Sequence, residues 1–223
     1  MVLNKSTLST QIYHILREDI LTQAIPLGEK LTLKSLQERF QVSSTPIRDA
    51  LTRLNEEGLV EYYSNVGVNV ISLNRKDLIE LFQFMGDLDS LSIRYASLHP
   101  EQSGILEKLE ENILTTGCIK KQPLTSEEEI SRWIACSDNF HLIFYDFCNN
   151  SRLTAAAKRL RSQLTIFSNA YERQSQPQSE ILAEHEQIFQ AYRQGDFTDA
   201  ACLMKEHLNH SLDFALENLD GMI

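Results

Sequence analysis

VSSTPIRDALTRLNEEGLV, residues 42–60, decides the fold of the first part of the chain. Thr45 is placed to cap a helix whose first position is Pro46, where the missing N–H costs nothing, and Gly58 ends that helix. Four apolar residues follow the i, i+3, i+4, i+7 spacing of one buried helix face: Ile47, Ala50, Leu51 and Leu54. The same spacing turns three polar side chains outward: Thr45, Arg48 and Thr52.

Helices and a hairpin are predicted on either side of this stretch. Residues 7–24 carry a helical stripe of leucine and isoleucine, and Thr32 is placed to cap a second, short helix. Residues 59–63 and 66–73 are typical of the two strands of a β-hairpin. Three short helices followed by a hairpin make a winged helix-turn-helix, which we predict for residues 1–73.

The polar face of the third helix suits DNA. An arginine in the first turn of the second helix of such a motif, here Arg48, is placed to reach a guanine edge in the major groove. The hydroxyls of Ser44 and Thr45 suit phosphate contacts, and Lys34 can hold the DNA backbone from the preceding helix. Thr52 shares the outward face. The alternative is a small protein-interaction module in which Arg48 is only solvated.

Charge is divided unequally along the chain. The 223 residues carry a formal net charge of −10, but residues 1–73 hold seven Lys/Arg against eight Asp/Glu and contribute only −1. DNA binding therefore stays open for the first segment. No apolar run is long enough to span a membrane, no secretory signal is visible, and the four cysteines form no CxxC pair. We expect a cytoplasmic protein without a membrane partner.

The rest of the chain has a helical pattern nearly to its end. Residues 75–218 predict six or seven helices, so the fold class is mainly α, with an all-helical antiparallel bundle after the first domain. We predict a loop over residues 117–124. The sequence TSEEE at 125–129 contains two overlapping capping boxes that begin the next helix. A later helix is expected to begin after Gln176-Pro177.

Three histidines stand on the apolar faces of separate predicted helices. His185 and His207 lie within apolar stripes, and His141 lies beside one, with Asp138 one helical turn earlier. Imidazoles that converge inside a helical bundle near a carboxylate form a metal site. The alternative is that each is a hydrogen-bonded core histidine. The remaining three are interpreted as surface or structural residues: His14, His99 and His210.

The first segment also resembles a known family. Three stretches carry the resemblance: PLGEKL at 26–31, VSSTPIRDALTRLNEEGLV at 42–60 and GVNV at 67–70. Together they resemble the DNA-binding domain of the GntR family of bacterial transcription regulators. The resemblance implies that five residues lie at the DNA: Lys34, Ser44, Thr45, Arg48 and Gly67.

The match departs from the family at two cationic positions. Ser44 and Val66 stand where members commonly carry arginine, and no Lys or Arg occurs between residues 54 and 74. With fewer cations on the phosphates, we expect a shallower dependence of DNA affinity on salt.

The second segment resembles the FCD effector domain of the FadR-like GntR regulators. The resemblance rests on FH at 140–141, NN at 149–150, EH at 184–185, GD at 195–196 and HL at 207–208. Many members bind a divalent metal through one aspartate and three histidines. The histidine ligands carry over to His141, His185 and His207.

The aspartate of that metal site does not carry over directly. The family places it four residues before the first histidine, where this chain has Ser137, and Asp138 is the neighbouring carboxylate on the same helix face. Either three histidines and water bind the metal, or the affinity of the site for the metal is lower than in the family. Nitrogen ligands favour Zn²⁺ or Ni²⁺ over Mg²⁺ or Ca²⁺.

These observations predict a homodimeric regulator that binds a palindromic double-stranded DNA operator and responds to a small-molecule effector. The effector is expected to be a metabolite, with carboxylic acids as one class, although Met85 replaces a family arginine that can meet a carboxylate, four residues before Asp89. One alternative is a DNA-binding regulator whose C-terminal domain holds neither metal nor effector. The other is a metal-dependent enzyme, against which the chain shows no HExxH pattern and no nucleophile–base pair.

Overall fold

The computed structural model describes residues 8–63, 67–120, 124, 126–172 and 175–218. These residues divide into two compact units, and the division falls between Asn74 and Arg75. No helix in the described part of the chain is long and apolar enough to cross a membrane. The predicted fold class is confirmed: three helices and a small sheet come first, and only helices follow.

The N-terminal unit combines three helices with a three-stranded sheet. The helices are α1 Leu8–Leu21, α2 Leu33–Phe40 and α3 Ser44–Glu57. The strands are β1 Lys30–Leu31, β2 Val60–Tyr63 and β3 Gly67–Val70, and the sheet is antiparallel in the order β1-β3-β2. Thr32 caps α2, as predicted, because its side chain accepts a hydrogen bond from the Ser35 N–H at 3.1 Å.

Helix α3 begins two residues earlier than predicted. Its N-cap is Ser43, so Thr45 and Pro46 lie at the second and third helical positions, and the prediction of a Thr45 cap was wrong. Proline is tolerated there because the first N–H groups of any helix lack intrahelical partners. The four apolar residues of its inner face are buried, as predicted: Ile47, Ala50, Leu51 and Leu54.

Gly58 ends α3 in the left-handed conformation, with φ 82°. Its N–H donates to the carbonyls of Leu54 and Asn55, which satisfies acceptors at the helix end. Helix α1 packs against α3 through Glu57, which accepts hydrogen bonds from Tyr13 Oη and Arg17 Nε, each at 2.7 Å. These contacts fix α3 against the rest of the unit and leave its polar face outward.

The C-terminal unit consists of six helices in its described part. They are α4 Arg75–Ala96, α5 Gln102–Lys120, α6 Glu127–Phe147, α7 Ser151–Tyr171, α8 Ser175–Arg193 and α9 Phe197–Asn218. Helix α4 packs against α6, α7 and α9, and α8 packs against α5 and α9. The side chains that meet inside this bundle therefore come mainly from α4, α6, α7, α8 and α9.

Two predicted boundaries in this unit were wrong. Helix α5 continues to Lys120, so residues 117–120 are not a loop; residues 121–123 lie outside the described part. Its last turns are held in helix by burial of Thr116, whose hydroxyl donates to the Asn112 carbonyl. Helix α8 begins at Ser175, so Pro177 lies in its first turn rather than before it.

One predicted capping box is confirmed. The Ser126 side chain accepts from the Glu129 N–H at 3.2 Å, and the Glu129 carboxylate accepts from the Ser126 N–H at 3.1 Å. The overlapping box from Thr125 falls outside the described residues.

Candidate metal centre and nucleic-acid interface

The outward face of α3 presents the polar residues predicted to meet DNA. Thr45, Arg48 and Thr52 are exposed, and Ser44 is half-buried at the start of the helix. The Thr52 hydroxyl donates to the Arg48 carbonyl at 2.9 Å, so one of its hydrogen bonds is made within the helix. Among the described residues, no hydrogen bond holds the guanidinium of Arg48. The side chain extends into solvent from the first turn and a half of α3.

A groove of about 400 Å³ joins this face to the sheet. Arg48 lines it together with Lys30, Tyr62 and Gly67. Gly67 has φ 117°, a conformation that residues other than glycine rarely adopt. Its backbone lies at the surface here. Lys34 is exposed at the start of α2. The structure thus brings Arg48 and Gly67 to one groove and leaves Lys34 accessible on the neighbouring helix.

Three buried histidines converge inside the C-terminal unit. His141 comes from α6, His185 from α8 and His207 from α9, and their ligand atoms all lie within 4.8 Å of one another. The Nε2 atoms of His185 and His207 are 3.3 Å apart. Two nitrogens bound to one tetrahedral zinc, with Zn–N bonds of about 2.0–2.1 Å, have a separation of about 3.3 Å. The separation of this pair of nitrogens therefore fits a zinc-like ion.

Two carboxylates orient the histidines of this cluster from outside. His141 Nδ1 lies 2.8 Å from Asp89 Oδ2, and His207 Nδ1 lies 2.6 Å from Glu184 Oε2. A carboxylate that accepts from Nδ1 leaves Nε2 free to bind a metal and makes the ring a better ligand. The ring of His185 stacks on Phe140, with centroids 4.2 Å apart. All three rings are thus held in place by neighbouring side chains.

Burial keeps two of these imidazoles neutral. Desolvation lowers the pKa of His141 and of His185 well below the usual value, and the positive charge of Arg161 adds to the effect. Neutral imidazole is the form that binds a metal. These two rings therefore carry no charge that would oppose a cation in the centre of the cluster near neutral pH.

Asp138 lies apart from the histidine cluster. Its carboxylate accepts from Arg161 Nη1 at 3.0 Å, and it is not among the groups whose ligand atoms meet at the centre. Arg161 is itself buried and pairs with Asp89 through its other terminal nitrogen. The structure therefore brings the three predicted histidines together and places the predicted Asp138 on a neighbouring ion pair.

Arg161 and Asp89 form a buried ion pair beside the histidine cluster, and sequence analysis did not predict this pairing. Only 4% of Arg161 is exposed. A signal was available, because Arg161 lies four residues after Ala157 and three before Leu164, on the buried face of α7.

A small cavity adjoins the cluster. It has a volume of about 20 Å³. Its lining includes His141 and His207 of the cluster, together with Arg161, Ser137 and Glu172. Burial raises the pKa of Glu172 to about 8, and the nearby charge of Asp138 adds to it, while hydrogen bonds from Ser168 and Ser137 oppose the rise. Burial also raises the pKa of Asp89 to about 6, and the positive charge of Arg161 opposes this rise.

Glu172→Gln should change how stability depends on pH. The folded pKa of about 8 lies above the ordinary glutamate value of 4.5, so the contribution of Glu172 is fully present below about pH 4.5 and is lost as the pH rises through 8. At about 1.4 kcal/mol per pKa unit, the wild type should lose up to about 4 kcal/mol more than the glutamine variant between pH 5 and 9. Urea denaturation across this range measures the difference. The matched control is the exposed Glu107→Gln, and parallel curves for wild type and Glu172→Gln would contradict the assignment.

Comparison with known protein families identifies the class of this chain. Residues 80–210 match the FCD domain family, and residues 8–70 match the gntR family of bacterial regulatory proteins. The chain belongs to the GntR family of transcription regulators, in the branch that carries an FCD domain. The matched families are transcription regulators rather than enzymes.

Individual relatives agree with this assignment. The HTH-type transcriptional regulator YdhC of Bacillus subtilis (strain 168) is 26% identical over 207 residues, which span 91% of this chain and 88% of that protein. The HTH-type transcriptional repressor GlaR of Escherichia coli (strain K12) is 23% identical over 203 residues, 88% of this chain and 90% of that protein. The solved structure of E. coli McbR/YncC covers 98% of this chain and 100% of its own, with a TM-score of 0.74 at 19% identity, which shows the same fold.

Proposed function

We propose that this regulator binds a palindromic double-stranded DNA operator as a homodimer, and that a small metabolite bound in the C-terminal unit changes its DNA affinity. Residues 1–73 are the DNA-binding domain and residues 75–218 the effector-binding and dimerisation domain. The observation that carries the proposal is the groove in which exposed Arg48 stands beside Gly67 of the sheet. Arg48 reads a guanine edge, and Lys34 contacts phosphates.

Ser44, Thr45 and Thr52 complete the DNA-contacting set. Ser44 and Thr45 lie in the first turn of α3, where free N–H groups and hydroxyls both suit phosphate oxygens. Thr52 is exposed one turn after Arg48 and keeps its oxygen lone pairs available beside the base edges. The sheet hairpin, with Gly67, approaches the DNA from the side of the groove.

A divalent metal, zinc or nickel, is the proposed cofactor of the C-terminal unit. His141, His185 and His207 would hold it, and it would supply an open coordination position for an effector atom. The chain's own contribution is to hold the three rings: Asp89 and Glu184 fix two of them by accepting from Nδ1.

Dimerisation is supported by an apolar stripe on α4. Phe84 and Leu91 are exposed seven residues apart, which places them on one side of the helix, and exposed Leu98 follows just after the helix ends. A second copy of the chain would cover this stripe. Two copies are also what a two-fold symmetric operator requires.

Selection of bound duplexes from a random library tests the proposal. We expect enrichment of an inverted repeat, because two α3 helices related by two-fold symmetry read the same sequence on opposite strands. Light scattering of the complex should give two chains for each duplex. Enrichment of an asymmetric sequence, or one chain for each duplex, would contradict the dimer.

A further inference from the structure

The cavity beside the histidine cluster has an unusual charge balance. Its walls and their direct partners hold one guanidinium, that of Arg161, against three carboxyl groups, those of Asp89, Asp138 and Glu172. All of these except Asp138 are more than nine-tenths buried. Burial raises the pKa of Glu172 to about 8, so this group is largely protonated near neutral pH. Charges so far from water act strongly on whatever enters the cavity.

Arg161 is already engaged by two of the carboxylates. One terminal nitrogen donates to Asp89 Oδ2, and the other donates to Asp138 Oδ1 at 3.0 Å. An anion entering at either terminal nitrogen would have to displace one of these partners and leave a carboxylate buried without its counter-ion, which is strongly destabilising. The terminal nitrogens therefore do not offer a ready site for a carboxylate ligand.

Glu172 is the one of the three carboxyl groups for which the structure describes no ion pair with Arg161. Only 6% of the residue is exposed, it lines the cavity, and the hydroxyls of Ser137 and Ser168 hydrogen-bond to its side chain. Its Oε2 atom is buried and has no hydrogen-bond partner among the residues that the structure describes. Asp89 Oδ1 is also buried without a described partner, but Asp89 does not line the cavity. A buried acceptor without a partner costs free energy, which a donor from a ligand would recover.

We propose that the effector of this regulator carries an ammonium group, and that Glu172 binds this group through Oε2. The inference rests on the proposed function, since it names the chemical class of the effector in the same site. An ammonium group brings three donors and one positive charge, which match the free acceptor and the carboxylate excess of the cavity. Serine hydroxyls in the wall, including Ser137 and Ser211, offer further oxygen acceptors.

The size of the cavity agrees with a single small group. A volume of about 20 Å³ holds about one water-sized group, and an ammonium group is of that size. The remainder of the effector would extend toward the histidine cluster, because His141 and His207 line the same cavity. Because burial raises the pKa of Glu172, binding of the cation at neutral pH should also release a proton from this carboxyl group.

Methylammonium chloride is a suitable probe, with sodium chloride, methanol and sodium formate as matched controls at equal concentration. We expect methylammonium at tens of millimolar to raise the melting temperature of the full chain at pH 7.5 by at least a few degrees more than any control. Glu172→Gln should remove this difference, and the exposed Glu107→Gln should keep it. Calorimetry in two buffers of different ionisation enthalpy should show proton release for the wild type only.

Three results would overturn the proposal. They are a larger stabilisation by formate than by methylammonium, a methylammonium effect that survives in Glu172→Gln, and loss of zinc binding in Glu172→Gln, which would make Glu172 a metal ligand instead. The outcome is separate from that of the proposed function, because operator binding by the same variants is measured without the probe. A protein that binds its operator but fails the methylammonium test loses only the ammonium site.

Discussion

Replacement of Arg48 by alanine is expected to abolish specific operator binding while the fold is retained. The side chain is exposed on α3 and lines the groove beside Gly67, so its removal uncovers no buried group. A bidentate arginine–guanine contact contributes about 1–3 kcal/mol of discrimination, and a dimer makes two of them. The loss is therefore roughly 30-fold or more in operator affinity, with binding to random DNA much less affected.

Fluorescence anisotropy with the enriched operator and a scrambled duplex measures both affinities. Arg152→Ala is the matched control, because it removes an exposed arginine from the C-terminal unit. Circular dichroism and the melting temperature establish that each variant is folded. If Arg48→Ala binds the operator as tightly as wild type, α3 is not the helix that reads the bases.

Replacement of His185 by glutamine is expected to remove tight zinc binding. The variant lacks one of the three proposed ligands. This loss should weaken zinc binding by more than the 10- to 100-fold that is typical when a residue hydrogen-bonded to a ligand is replaced. In the wild type, zinc in excess of its dissociation constant should raise the melting temperature, since it binds only the folded site. We expect EDTA to reverse that rise, and the variant to show neither change.

His14→Ala is the control for this experiment, because His14 is exposed and lies in the N-terminal unit. Competition with a coloured chelator gives the zinc affinity of each protein, and elemental analysis gives the metal content after purification. Equal zinc affinity in wild type and His185→Gln would show that the three histidines pack as core residues. Nickel in place of zinc tests the choice of metal in the same format.

The local parts of the fold were predictable because each depends on a few neighbouring residues. The inner face of α3, the Thr32 cap and the Gly58 terminus follow from spacing and from the backbone preferences of single residues. The starts of α3 and α8 were misplaced because proline is accepted at several positions of a first turn, so Pro46 and Pro177 do not fix the first residue.

The site was predictable only in part. The three histidines stood out because each lies on or beside an apolar stripe, where a polar ring needs a partner. The pairing of Arg161 with Asp89 joins residues 72 positions apart on α7 and α4, and no local pattern specifies it. Glu172 follows the end of α7, outside any periodic segment, so its burial depends on how α6, α8 and α9 pack around it.

Asp89 has a consequence for regulation, because a single oxygen serves two partners. Oδ2 accepts from His141 on the side of the histidine cluster and from Arg161 on the cavity side. If metal binding and effector binding each alter the hydrogen bonds to that oxygen, each ligand must change the affinity of the protein for the other by the same factor. Occupancy of the two positions would then be interdependent, and the shared oxygen sits on α4, the helix that begins at Arg75, where the DNA-binding unit ends. Such a protein would respond to metal and metabolite jointly rather than to each independently.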